Sequence, residues 1–149
     1  GYFTAFQPSV SSGAPEIITV SVRIKNDAIV EFFIDTLQST KIVEGETVSF
    51  KFNWKTKKQL GYEYYMFPQS GKMVNGELDV EGYKQWLSEN NKKEWFEQAD
   101  LICHEFAKNG SYNFVIKSDG KIDNALVSGV TIGDNNYLKV LNQLLANAK

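Results

Sequence analysis

Residues 16–34 read Glu-Ile-Ile-Thr-Val-Ser-Val-Arg-Ile-Lys-Asn-Asp-Ala-Ile-Val-Glu-Phe-Phe-Ile. Ile18, Val20, Val22 and Ile24 occupy alternate positions, with Thr19, Ser21, Arg23 and Lys25 between them. That two-residue period is the mark of a half-buried β-strand. Asn26-Asp27 is a two-residue connection of residues that accept positive φ, and a β-branched and aromatic run resumes from Ala28 to Gln38. The pair is therefore predicted to be a β-hairpin.

Upstream, Tyr2 to Gln7 alternates weakly and stops at Pro8, and Ser9 to Pro15 is rich in Ser, Gly and Pro. An edge strand followed by a loop is expected there. Downstream of Glu44-Gly45, Thr47 to Trp54 sets Val48, Phe50, Phe52 and Trp54 against Ser49, Lys51 and Asn53, which predicts a further antiparallel strand. Thr56 suits an N-cap for the single turn Lys57–Leu60, with Gly61 in the left-handed closing position. An aromatic run, Tyr62 to Phe67, ends at Pro68, and Gln69 to Gly76 is expected to be a loop.

Helices are predicted over Asp79–Asn90 (Val80, Tyr83, Trp86, Leu87) and Lys92–Lys108 (Trp95, Phe96, Ala99, Ile102, Cys103, Phe106), the second stopped by Asn109-Gly110. Tyr112–Lys117 and Lys121-Ile122 flank the turn Ser118-Asp119-Gly120 as a hairpin. Asp134 is placed to cap a last helix carrying Tyr137, Leu138, Leu141, Leu144, Leu145 and Ala148 on one face. Strands, then helices, then a hairpin and a terminal helix, without β-α-β alternation, give an α+β fold: an antiparallel sheet packed with helices.

The 149 residues fit one domain with an adequate core. Sixteen Lys or Arg against 18 Asp or Glu leave a net charge of −2, and the lysines are scattered, which sets nucleic-acid binding aside. No apolar run approaches the roughly 18 residues of a bilayer span. One cysteine, Cys103, excludes a disulfide framework and multi-Cys zinc sites. It neighbours the single histidine, His104, in a helical pattern that turns the two side chains about 100° apart. A core cysteine beside a surface histidine is expected, not a nucleophilic dyad. Glu94 with Glu97, and Asp119, read as solvated carboxylates, with Asp123 excepted for the motif it opens.

Asp123-Asn124-Ala125-Leu126-Val127-Ser128-Gly129-Val130-Thr131 lies just before the terminal helix. A small-residue loop feeding a helix N-terminus is receptive to a phosphate, with Gly129 permitting close backbone approach and Thr131 adding a hydroxyl. The same residues equally suit a Ser/Gly turn in which Thr131 and Asp134 only help to cap the helix.

At these residues the chain resembles the FMN-binding domains of flavinylated extracellular electron-transfer lipoproteins, relatives of the FMN-carrying subunits of sodium-pumping NADH:quinone reductase and Rnf complexes. Asp123 followed by Ser128-Gly129-Val130-Thr131 is similar to that family's flavin-transferase mark, with Val130 in place of the usual Ala. Lys57-Lys58-Gln59-Leu60-Gly61-Tyr62-Glu63-Tyr64-Tyr65-Met66 resembles its Lys-x-x-Leu-Gly-x-x-Tyr-x-Met segment. Lys93-Glu94-Trp95-Phe96-Glu97-Gln98-Ala99-Asp100 resembles its Lys-Glu-Trp-Tyr-x-Gln-Ala-Asp helix, and Gly1 to Ala5 its opening strand. The segment Gln69–Asn91 is longer than the family pattern.

The resemblance implies FMN esterified through its phosphate to the Thr131 hydroxyl by a flavin transferase, in one FMN-binding domain of a larger exported, lipid-anchored lipoprotein. The domain would be an electron relay, not an enzyme, passing electrons between a quinol-linked donor or partner flavoprotein and an acceptor outside the cell, with membrane attachment only through an anchor elsewhere. A flat conjugated ring wants aromatic and sulfur contacts and a few amides. Tyr62, Tyr64, Tyr65 and Met66 beside Gly61 supply the first kind; Trp95 and Gln98, three apart on a helix, can pack and hydrogen-bond. The same aromatics also fit a sheet–helix seam. Two other functions compete: a cell-surface module binding peptide or glycan through exposed aromatics, and a reductase of small organic acceptors, for which Arg23, the only arginine, offers little.

Overall fold

A computed structural model describes residues 1–109, 118 and 129–148. β1 (Tyr2–Ser11), β2 (Ala14–Lys25), β3 (Ala28–Glu44) and β4 (Thr47–Phe52) form one antiparallel sheet in the order β1-β2-β3-β4. Asn26 and Asp27 turn the β2–β3 hairpin with φ of 51° and 59°, the positive pair that matches strand twist. Lys57–Leu60 (α1), Val80–Glu89 (α2), Trp95–Asn109 (α3) and Tyr137–Asn147 (α4) complete the α+β architecture.

The alternating face of β2 and β3 is the core. Ile18, Val20, Val22, Phe32 and Ile34 pack under Ala99, Ile102, Cys103 and Phe106 of α3 and Val140, Leu141 and Leu144 of α4. The Phe32 and Phe106 rings stack at 4.2 Å. Burial pushes the Cys103 thiol up to about 11, so it is a packing group and a poor nucleophile. His104 is exposed beside it.

Several predicted boundaries change. β1 runs through Pro8 to Ser11, and the expected loop shrinks to the turn Ser12-Gly13. As the outer strand, β1 has N–H groups that need no ladder partner, where Pro is tolerated. Pro15 pairs with Val10 just past the last β2–β3 pair, Glu16 with Gln38, so its missing N–H costs no bond to β3. β3 extends to Glu44 and pairs with β4 beyond the end of β2. The face of Val48, Phe50 and Phe52, expected to be half-buried, is therefore uncovered, with Phe50 45% exposed. Trp54 lies outside the strand and is 92% exposed.

The expected loop after Pro68 contains a two-stranded turn, β5 (Met73–Val74) with β6 (Glu77–Leu78). α3 starts at Trp95, three residues later than expected, because the carboxylate of Glu94 accepts the Trp95 N–H while its own amide donates to Glu97. Val80 of α2 is exposed rather than on the buried face. The N-cap of α4 is Asn136, in the left-handed region and without a side-chain capping bond, rather than the expected Asp134, which from two residues upstream still accepts the Leu138 N–H at 3.1 Å. The predicted hairpin over 112–122 lies outside the described residues apart from Ser118, as do Asp119, Asp123 and Ser128.

Phe106→Ala should lower the unfolding free energy by about 3–5 kcal/mol, whereas Val43→Ser on the uncovered ribbon should change it by less than about 0.5 kcal/mol. Urea denaturation of the two variants beside the parent protein tests this.

Candidate functional site

Between the end of β1, the start of α3 and the segment leading to α4 lies an open cleft of about 370 Å³, lined by Lys57, Tyr64, Met66, Trp95, Thr131 and Tyr137 among others. That volume is within the range of small-molecule sites, roughly 300–1,000 Å³. Its walls come from segments far apart in sequence, and local chemistry explains how each is held.

α1 is a single turn fixed at both ends. The Gln59 N–H donates to Thr56 Oγ1 and the Thr56 N–H donates to Gln59 Oε1, closing a capping box. Gly61 ends the turn at φ 55°, which needs no Cβ. This directs Lys57 inward, only 9% exposed, with its Nζ 5.2 Å from the Tyr64 ring centroid and 5.1 Å from that of Trp95. Burial lowers the Lys57 pKa from 10.5, while Glu16 and Asp35 act in the opposite sense. The Tyr64 phenol is raised by burial first, then by Glu94 and Glu16.

The first turn of α3 ties the cleft together. Glu94, read from sequence as solvated, is 0% exposed. Its Oε2 accepts the Met66 N–H at 3.0 Å and the Tyr83 hydroxyl at 2.5 Å. A carboxylate is stable there because it accepts several donors at once. Gln98, 1% exposed, accepts at Oε1 the N–H groups of Thr131 (2.7 Å) and Ile132 (3.1 Å) and the Thr131 hydroxyl (3.3 Å). Its Nε2 donates to the Lys93 carbonyl at 2.8 Å and contacts Met66 Sδ at 3.8 Å. Both ends of the amide are thus engaged by the protein, and Gln98 positions Thr131 at the exposed rim of the cleft.

Tyr64, Met66, Trp95 and Thr131, four residues selected from sequence, share this cleft. Tyr62 does not: its ring packs edge-on against Phe96 and Tyr83, and its hydroxyl donates to Glu97. Gly61 serves the α1 terminus, and Val130 is buried in the core. Gly129 is exposed at φ 84°. Sequence reading missed Lys57 as a cleft residue and Glu94 as its anchor. The available signal for both was their place in the two quoted segments, Lys57 opening the first and Glu94 preceding Trp95 in the second.

Beneath the cleft is a polar layer. Glu16 is buried, with Oε1 accepting from Asn135 Nδ2 at 2.9 Å and no hydrogen-bond partner at Oε2. Thr36 Oγ1 and the Tyr137 hydroxyl are hydrogen-bonded, and Asp35 Oδ1 accepts the Thr36 and Lys58 N–H groups. A larger groove of about 510 Å³ lies along Ile42, Phe52, Trp54 and Leu60, and none of the flavin-contact residues expected from sequence lines it. Among the described residues no group of His, Cys, Asp and Glu is arranged to hold a metal, and no helix is long and apolar enough to cross a membrane.

Comparison with protein-family models, with curated proteins and with solved structures finds no match to this chain.

Gln98→Leu leaves the Thr131 and Ile132 amides without their acceptor and should cost about 1–3 kcal/mol, measurable by urea denaturation, with hydrogen exchange at both amides accelerated beyond the global change. For Lys57 the folded state binds the proton less tightly than the unfolded chain, so the penalty of its charge is present below the folded-state pKa and disappears as pH climbs towards 10.5. Parent stability should therefore rise relative to Lys57→Met over that alkaline interval; parallel pH profiles would contradict a desolvated ammonium.

Proposed function

We propose that this chain is an electron-transfer domain that carries FMN in the cleft, its phosphate end joined to Thr131. The observation that carries the reading is convergence. Tyr64 and Met66 from one segment, Trp95 from a second and Thr131 from a third are among the residues expected for flavin chemistry, and all four line one cleft. The donor set also suits the group. Aromatic faces and a thioether match a flat conjugated ring, the Lys57 ammonium complements the electron density of the reduced ring, and Thr131 is exposed at the rim.

FMN, when bound, supplies the capacity to accept and release electrons. The chain's own contribution is to bind and orient it. Trp95 and Tyr64 present aromatic surface, Met66 fills between them, and Gln98 holds the Thr131 backbone so that the hydroxyl stays at the rim. The Ser128-Gly129-Val130-Thr131 stretch, with Asp123 ahead of it, is the proposed recognition mark for a flavin transferase and the proposed phosphate-side loop. A tether makes occupancy independent of free flavin. In this reading the domain is a relay and not an enzyme. It belongs to an exported lipoprotein at the cell surface and exchanges electrons with a quinol-linked donor or a partner flavoprotein.

A second reading, a surface binding module without flavin, is favoured by the uncovered ribbon bearing Val43, Val48, Phe50, Phe52 and the exposed Trp54. Exposed contiguous apolar surface of this kind is a common mark of an interaction site.

Co-expression with a flavin transferase separates the two. The parent should gain the mass of FMN less water and keep its flavin absorbance after denaturation, and Thr131→Ala should lose both. Parent protein that stays unmodified and does not bind added FMN supports the binding module.

A further inference from the structure

We propose that Lys57 is the residue that sets the redox preference of this cleft, its ammonium favouring the reduced, anionic form of the bound ring over the oxidised, neutral one. The inference rests on the FMN reading and adds a role for a residue that sequence analysis placed in the α1 turn, at the Lys of the Lys-x-x-Leu-Gly-x-x-Tyr-x-Met-like segment, without counting it among the flavin contacts.

Position comes first. Lys57 Nζ stands 5.2 Å from the Tyr64 ring centroid and 5.1 Å from that of Trp95, the two aromatic walls selected for the ring. The capping box and Gly61 hold α1 at both ends, so the ammonium is delivered by a constrained turn and not by a loose loop. Commitment is the second observation. The adjacent Lys58 is engaged by Asp100 at 2.6 Å, and Lys55 by Glu63 at 2.9 Å. Lys57 forms no such ion pair among the described residues.

The groups facing it are Glu16 from β2, Asp35 from β3, Tyr64 from the turn after α1 and Tyr137 from the start of α4. Asp35 is occupied by two backbone N–H groups. Glu16 keeps one buried oxygen without a hydrogen-bond partner, and it too lies beyond ion-pair distance of Lys57. The fold therefore holds a desolvated cation and a buried carboxylate close enough to interact but not paired. A charge held in that state interacts strongly with any new charge in the cleft, because little water screens it. Reduction adds electron density to the ring, and a nearby cation is one of the protein's levers on that equilibrium.

The test adds FMN to the full chain produced without a flavin transferase, so that the flavin is untethered, and measures, for the parent, Lys57→Met, Lys57→Arg and Glu16→Gln, the dissociation constants of oxidised and reduced FMN. The midpoint potential is obtained by dye-equilibrated spectroelectrochemistry, and circular dichroism verifies the fold of each variant. Lys57→Met should weaken the reduced form about tenfold more than the oxidised form, equivalent to lowering a two-electron potential by about 30 mV. Lys57→Arg should restore most of the parent value, and Glu16→Gln, which keeps an acceptor for Asn135, should move the potential the other way.

FMN bound by all four proteins with an unchanged ratio of the two constants overturns the role of Lys57 while leaving the flavin reading intact. A folded parent that binds neither form and also stays unmodified when co-expressed with a flavin transferase overturns both.

Discussion

A single buried amide joins the parts of this molecule that matter for its chemistry. Gln98 sits on the first turns of α3, accepts the Thr131 and Ile132 amides, donates to the Lys93 carbonyl and touches the Met66 sulfur. Such an amide is tolerated in an apolar setting only when its hydrogen bonds are made. The requirement therefore runs both ways: the strand-like segment at Thr131 needs Gln98 as an acceptor, and Gln98 needs that segment as a donor. Glu94, one turn earlier, does the same for Met66 and Tyr83. The N-terminal turn of α3 is thus the hub from which both rims of the cleft are positioned.

That hub is stable because the rest of α3 is anchored independently. Ala99, Ile102, Cys103 and Phe106 lie on the apolar face of the β2–β3 hairpin, and α4 covers the neighbouring strands. Burial of one face of a sheet is what drives the packing. The polar turn then occupies the end of a helix whose direction the core has already set. On the opposite side, where β3 and β4 outrun β2, no layer is present among the described residues to cover the ribbon, and its apolar side chains stay exposed.

Local patterns were legible in the sequence. The alternation over residues 16–34, the Asn26-Asp27 turn and the α1 capping residues each depend on neighbours within a few positions, and all appear in the structure, while the start of α4 falls at Asn136 with Asp134 reaching only its Leu138 N–H. Features set by distant partners were not. Val48, Phe50 and Phe52 alternate as a half-buried strand should, but alternation cannot say whether a second layer exists. Glu94 looks like any surface glutamate until Tyr83 and the Met66 amide are brought to it. Gln98 was selected for the right cleft in the wrong posture, since its acceptor is spent on residues 33 and 34 positions away. Of the motif ahead of α4, only Gly129, Val130 and Thr131 fall within the described residues, so Asp123 and Ser128 stand on sequence alone.

The most direct measurement is a two-dimensional amide NMR titration of the isotopically labelled chain with FMN, with reference to assigned resonances of both the cleft and the ribbon. Shift changes concentrated on Met66, the Trp95 indole, Thr131 and Ile132, with the ribbon around Phe50 and Trp54 unmoved, are the expected result. Changes confined to the ribbon, or none at saturating FMN, would contradict a flavin site in this cleft.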